Sequence, residues 1–222
     1  MPPPRGVIFD MDGLLVDSEP VHAAAFISAF RHFGLSLEPE EYRQHVTLGG
    51  GSTRDLFLSK GGNPRQWEQV LALKRVRFRQ HVAEGMELLP GAACLLQALN
   101  RRRTPCVLAT GAGRATAETI LNHFDLWRCF ALVLSGDDVR HAKPDPEVFL
   151  KAVTALGVAP GECVSLEDSP KGVRAATAAG VRCVAVPTAW TRDGEFTGAS
   201  LVVDSLVRVT PEVLESLFAR SE

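Results

Sequence analysis

The 222-residue sequence has no apolar stretch of the length needed to span a bilayer, and Met1-Pro2-Pro3-Pro4-Arg5 lacks the apolar core of a secretory signal. A soluble, unanchored, cytoplasmic protein is therefore expected. Any C-x-x-C pair is also missing, and the five cysteines, Cys94, Cys106, Cys129, Cys163 and Cys183, are odd in number. Neither a zinc site nor a disulfide framework is indicated. Cys106, Cys163 and Cys183 stand in or at the start of apolar runs, where they fit the role of small buried hydrophobes in a reducing compartment. There is no basic excess: 24 Lys and Arg against 26 Asp and Glu give a net charge of −2. That leaves no electrostatic footprint for nucleic acid. The basic triplet Arg101-Arg102-Arg103 falls where a helix is expected to end, and complements the carbonyl pole of that helix. No internal repeat and no low-complexity tract is present. The glycines of Leu48-Gly49-Gly50-Gly51-Ser52-Thr53-Arg54 follow no strand and precede no Gly-Lys-Ser/Thr, so they are not a nucleotide P-loop. Gly111-Ala112-Gly113 is too short for a dinucleotide fingerprint.

What is present is an ordinary globular composition, 45% hydrophobic and 23% charged, on a chain long enough for one α/β core carrying a smaller insert. Short apolar runs recur between helix-like segments: Val7-Ile8-Phe9, Cys106 to Ala109, Leu132 to Leu134, Cys163 to Leu166, Cys183 to Val186 and Leu201 to Val203. Their length and β-branched content predict strands buried on both faces, and so a doubly wound parallel sheet of Rossmann-like type. One interval breaks the alternation. Between Asp12 and Cys106 lie more than ninety residues of helical periodicity, including Pro20 to Phe33, Pro39 to Thr47 and Pro64 to Val82. A simple crossover needs only a dozen or so residues. The expected organisation is an α/β core of residues 1–15 and 88–222 with an inserted helical cap of residues 16–87.

Polar residues collect after the strands. Asp10 and Asp12 follow the first, Thr110 and Gly111 the second, Ser135 to Asp138 the third, and Glu167 with Asp168 the fourth. In an open parallel sheet these carboxyl ends share the edge where ligands bind. Four carboxylates in one small volume repel one another and call for a cation, for which Mg²⁺, an oxygen-seeking ion, is the natural choice. Thr110 offers a hydroxyl that can both cap a helix and bind an anion at that helix start, beside the N–H groups around Gly111. Lys143, stiffened by Pro144 and Pro146, supplies a positive charge for a nucleophile and a phosphoryl group. Together these residues describe phosphoryl transfer to an aspartate.

In order and spacing, Phe9-Asp10-Met11-Asp12-Gly13, Leu108-Ala109-Thr110, Lys143-Pro144-Asp145-Pro146 and Leu166-Glu167-Asp168-Ser169 resemble the four motifs of the haloacid dehalogenase-like hydrolase superfamily. The resemblance covers essentially the whole chain. It is nearest to the branch with a helical cap after the first motif, which includes β-phosphoglucomutase and phosphoglycolate phosphatase. It implies that Asp10 is nucleophile and metal ligand, and that Asp12 is general acid and base and binds metal through its carbonyl. Thr110, Gly111 and Lys143 would hold the phosphoryl group, and Asp168 with Glu167 would complete the Mg²⁺ site. An aspartate near its ordinary pKa of about 3.9 is a poor acid at neutral pH, so Asp12 must gain its proton from the site. In the cap, His22, Gly50 and Arg54 are candidates for substrate contact.

The reading that follows is a monomeric, Mg²⁺-dependent phosphatase acting on a small phosphorylated metabolite, a sugar phosphate above all, through an aspartyl phosphate. Asp12 argues against dehalogenation, which needs no such acid. A β-phosphoglucomutase-like mutase is the alternative. That enzyme carries a lysine and an arginine around its cap glycine, and here Gly49 and Thr53 stand in those places with Arg54 one position displaced. A signalling receiver domain would place its phospho-acceptor on a later strand and needs no cap. A non-catalytic sugar-phosphate-binding protein would not need the full set of Asp10, Asp12, Thr110, Lys143 and Asp168.

Overall fold

The computed structural model describes residues 3–218. The chain divides into two compact units, Met1–Val16 with Leu88–Glu222, and Asp17–Glu87. The first is built on six strands: β1 (Gly6–Phe9), β2 (Cys106–Ala109), β3 (Leu132–Leu134), β4 (Cys163–Glu167), β5 (Arg182–Ala185) and β6 (Leu201–Val202). They form one sheet in the order β3-β2-β1-β4-β5-β6, with every neighbouring pair parallel. This is the order of Rossmann-type doubly wound sheets, which reverses direction at β1 and opens a crevice beyond its carboxyl end.

Every residue of β1, β2 and β4 is buried, as strands covered by helices on both faces must be. Ile8, Val107 and Ala109 pack with Phe149 and Ala152 of a helix and with Val173 and Ala176 of another. The connections are α5 (Ala92–Arg101), α6 (Arg114–His123), α7 (Glu147–Leu156) and α8 (Pro170–Ala178), with α9 (Pro211–Ser216) near the end. To number in chain order, the helices of the second unit are α1 to α4. Cys106, Cys163 and Cys183 are buried, as their neighbours in sequence suggested. The arginine triplet lies at the end of α5, where Arg102 pairs with Glu212 and Glu215.

Two expectations shift in detail. Glu167 does not follow the fourth strand but is its last residue, because its carbonyl still accepts from Val186 N–H at 2.7 Å in the ladder to β5. The helix after β2 starts at Arg114 with Gly113 as its N-cap, three residues beyond Thr110. Thr110 therefore caps no helix, and Gly111 lies in the connecting loop.

The second unit is helical: α1 (Glu19–His32), α2 (Pro39–Tyr42), α3 (Thr53–Ser59) and α4 (Trp67–Ala83). In α1 the buried residues Ala23, Phe26 and Phe30 recur at three and four positions, with Glu19 in the first turn and Arg31 and His32 in the last, as the helix dipole favours. The helix expected over Pro39 to Thr47 is α-helical only to Tyr42 and continues as a π-helix over Arg43–Leu48. That over Pro64 to Val82 opens with a 3₁₀ turn before α4. The two crossings between the units run side by side. Val16 bridges Leu88 in antiparallel fashion, and Leu89 N–H donates to Leu15 O at 2.8 Å. No helix among the described residues is long and apolar enough to cross a membrane.

Candidate active site

The sheet register sets the site. Phe9 of β1 lies level with Leu108 of β2 and with Leu166 of β4. The next residues, Asp10 just past β1 and Ala109 and Glu167 at the last positions of β2 and β4, therefore stand side by side at the carboxyl edge of the sheet. Lys143 binds all three: its Nζ donates to Asp10 Oδ1 at 2.6 Å, to Glu167 Oε1 at 2.7 Å and to the Ala109 carbonyl at 2.8 Å. Lys143 reaches them from the loop before α7, with Nζ 5.2 Å from the centre of the Phe149 ring. That loop is fastened by Glu147, whose carboxylate accepts from the Arg140 and His141 N–H groups at 2.9 Å each.

Thr110 adds the second strand's contribution. Its hydroxyl donates to Asp12 Oδ2 at 3.2 Å and accepts from Ala112 N–H at 3.0 Å, so it folds the loop of Gly111 and aims at the first motif together. The loop is held from the β3 side as well. Gly136 N–H donates to Ala112 O at 2.7 Å, and Asp137 accepts the Arg114 N–H at 2.8 Å, serving the N-terminus that Gly113 has no side chain to cap. Ser169 begins α8 by accepting from Gly172 N–H at 3.3 Å, with Pro170 at the first helical position. This abrupt turn leaves Glu167 and Asp168 at the strand end.

Asp10, Glu167 and Asp168 are all buried, and each offers a carboxylate oxygen within 4.8 Å of the others'. Burial raises the Asp10 carboxyl, an effect that Lys143 opposes and Asp12 reinforces. Burial likewise pushes Glu167 up to about 8, with Lys143 opposing and Asp10 reinforcing. For Lys143, burial acts against the ammonium, but Asp10 and Glu167 outweigh it and raise its pKa. The lysine is a permanent cation among carboxylates that are reluctant to ionise together.

These residues fit a bound Mg²⁺. The donor set is all oxygen and all carboxylate, the preference of a hard divalent ion. With three carboxylates ionised against one ammonium, the cluster carries two uncompensated negative charges, which one such ion would balance. Glu167 Oε2 is buried and makes no hydrogen bond among the described residues. His141, Asp145 and Glu147 also bring ligand atoms together, but His141 is exposed and Glu147 is already engaged by Lys151 at 2.7 Å and by backbone N–H groups.

The remaining candidates belong to the helical unit. His22 is half-buried on α1 and stacks on Phe78, with ring centres 4.4 Å apart. Arg54 is exposed in the first turn of α3, which Ser52 caps. Gly50 is exposed, with φ of +67°, a left-handed conformation that favours glycine. Sequence reasoning missed Lys74, buried on α4 with its ammonium 4.6 Å from the Phe78 ring centre and 5.5 Å from that of Phe26. The signal was available, since Val70, Lys74, Phe78 and Val82 repeat every four residues and put a lysine on the helix's buried stripe.

A doubly wound sheet ending in a lysine-bridged carboxylate cluster is the core of an α/β hydrolase. The chain belongs to the haloacid dehalogenase-like hydrolases, whose family model matches residues 7–186. Protein CbbY of Cereibacter sphaeroides is 33% identical over 215 residues, which cover 92% of this chain and 94% of that protein. Fructose-1-phosphate phosphatase YqaB of Escherichia coli is 32% identical over 184 residues, 82% of this chain and 95% of its own. Among solved structures, CbbY from Rhodobacter sphaeroides in complex with xylulose-(1,5)bisphosphate has a TM-score of 0.85 at 32% identity, covering 92% of this chain and 95% of that one.

Proposed function

We propose that the chain is a Mg²⁺-dependent phosphatase of sugar phosphates that works through an aspartyl phosphate on Asp10. The observation that carries this reading is the single ammonium of Lys143 joining Asp10, Ala109 and Glu167 at the sheet edge, with Thr110 tied to Asp12 beside them. In the first step a carboxylate oxygen of Asp10 forms a bond to phosphorus as the bond to the sugar oxygen breaks, and Asp12 gives that oxygen its proton. In the second, Asp12 takes a proton from water, whose oxygen attacks phosphorus and restores the Asp10 carboxylate. Lys143, Thr110 and the N–H groups about Gly111 hold the phosphoryl oxygens as charge builds on them. Asp10, Glu167, Asp168 and the Asp12 carbonyl would hold the cation, which when bound offsets the charge of carboxylates and phosphate. Choice of leaving group we assign to the helical unit, through His22, Gly50 and Arg54.

The substrate class draws on the relatives, one named for fructose 1-phosphate and one bound to a ketose bisphosphate. The test is phosphate release from aldose and ketose mono- and bisphosphates, with Mg²⁺ and with chelator. Turnover in Mg²⁺ that chelator abolishes is expected. Release from none of them, or an isomerised sugar phosphate in place of free phosphate, would reject the reading.

A pH dependence follows from the crowding of carboxylates. Metal binding needs Glu167 ionised, and in the metal-free protein that group is held near pH 8. Mg²⁺ affinity should therefore rise between pH 6 and 8 and level off above, with proton release on binding at pH 7 that shrinks by pH 9. Calorimetry in buffers of different ionisation enthalpy reads both. The sign for stability is opposite: because the folded-state value lies above the usual 4.5, this group's contribution is complete below about 4.5 and lost as pH rises through about 8. Affinity that is level from pH 6 to 9 would contradict this account.

A further inference from the structure

Gly172 is the third residue of α8, with an ordinary helical backbone that any residue adopts. The backbone thus does not require glycine here, and what an added side chain would meet decides its role. A Cβ built there would stand 1.8 Å from Glu167 Oε2, 2.2 Å from its carboxyl carbon and 2.8 Å from Oε1. Such distances are impossible for a side chain. The Glu167 carboxylate cannot simply swing aside, because its residue is fully buried and its Oε1 is engaged by Lys143 at 2.7 Å. The backbone cannot yield easily either, since Gly172 N–H is tied to the Ser169 cap that begins the helix. Asp168 meets another glycine in the same way: a Cβ on Gly13 would lie 2.2 Å from its Oδ2. Gly13 has φ of +74°, so there the backbone alone already favours glycine. Gly172 has no such second reason.

We infer that Gly172 is a positioning residue for the hydrolase site: the space left by its missing side chain is the seat of the Glu167 carboxylate. Through Glu167 it fixes Lys143 and one side of the cation site. The seat itself stands on the packing of Glu167 against Gly172, whereas its effect on metal binding rests on the proposed Mg²⁺ site.

The experiment combines Gly172→Ala with two changes at Glu167. Glu167→Gln keeps the length of the side chain and removes its charge, while Glu167→Asp withdraws the carboxylate by one methylene. Thermal unfolding in chelator should show a lower Tm for Gly172→Ala in the native and the Gln backgrounds, and less than half that decrease in the Asp background. Gly161→Ala, where a Cβ meets nothing within 4 Å, serves as the control for adding a methyl group to glycine. In the otherwise native protein, Gly172→Ala should also weaken Mg²⁺ binding by calorimetry at least tenfold. Equal decreases in Tm in the Gln and Asp backgrounds would overturn the seat, whatever the metal does. Should the native protein bind no Mg²⁺ while the Asp background still relieves the clash, the seat stands and the metal reading alone fails.

Discussion

Asp10→Asn should fold as the native chain does and lose on the order of 10⁴-fold or more in turnover, the scale seen when a catalytic nucleophile is removed. The amide fills the same space but cannot form the acyl phosphate. Stability should be little affected, because burial already works against a charge at this position and raises the carboxyl's pKa. Loss of the negative charge relieves Glu167 while depriving Lys143 of one of its two anionic partners. The measurement is steady-state phosphate release from a sugar phosphate, run beside urea unfolding of the same preparation. A trapped covalent adduct in the native protein, seen as added phosphoryl mass on the peptide containing Asp10, should vanish in the variant. Undiminished turnover by Asp10→Asn would sink the covalent mechanism.

Lys143→Met should damage both activity and fold. The Lys143 side chain is 6% exposed, that of Asp10 9% and that of Glu167 0%, so solvent screens little of this ion cluster. Deleting one partner of a buried ion pair typically costs about 3–5 kcal/mol, because the remaining charge is left uncompensated. Here the carboxylates have an escape, since Glu167 can take up a proton and without the ammonium will do so still more readily. The expected loss is thus about 3 kcal/mol at pH 8.5 and clearly less at pH 6, read from urea unfolding in chelator. An equal loss at both pH values would show that the lysine's packing on Phe149, and not its charge, is what the fold uses. Turnover should fall at least about 10³-fold at either pH, since in the proposed mechanism both the nucleophile and the phosphoryl group lose their cation.

The core was legible from sequence because its strands are short, apolar on both faces and bounded by polar residues. All six were foreseen to within a residue or two, and the motif residues then fell at one sheet edge by register alone. Asp10, Thr110 and Glu167 could be singled out because each directly follows an apolar run, and Lys143 because Pro144 and Pro146 stiffen the chain beside it. What could not be seen were the contacts that need coordinates. The Ala109 carbonyl under Lys143 is a backbone atom with no sequence signature. Thr110 looked like an N-cap because the helix start was read three residues early, and the remote cap from Asp137 is nonlocal. Gly172 carries no signal in the sequence, since only the fold reveals which side chain occupies the room it leaves. In the helical unit, apolar periodicity found α1 and α4, but the change from α to π at Arg43 follows no local pattern we could read.

The paired crossings at Leu15–Leu89 and Val16–Leu88 have a consequence for how such a chain can vary. Because departure and return are hydrogen-bonded neighbours on the core, everything between them hangs on a closed stem. Lengthening or shortening a flexible loop with fixed ends costs only logarithmically in entropy, about 0.6 kcal/mol for each doubling. Residues 17–87 are in this sense a cassette. If the helical unit chooses the leaving group, as we propose, a library that exchanges the whole segment at the stem and leaves the sheet edge untouched is a more economical route to new specificity than point changes scattered through both units.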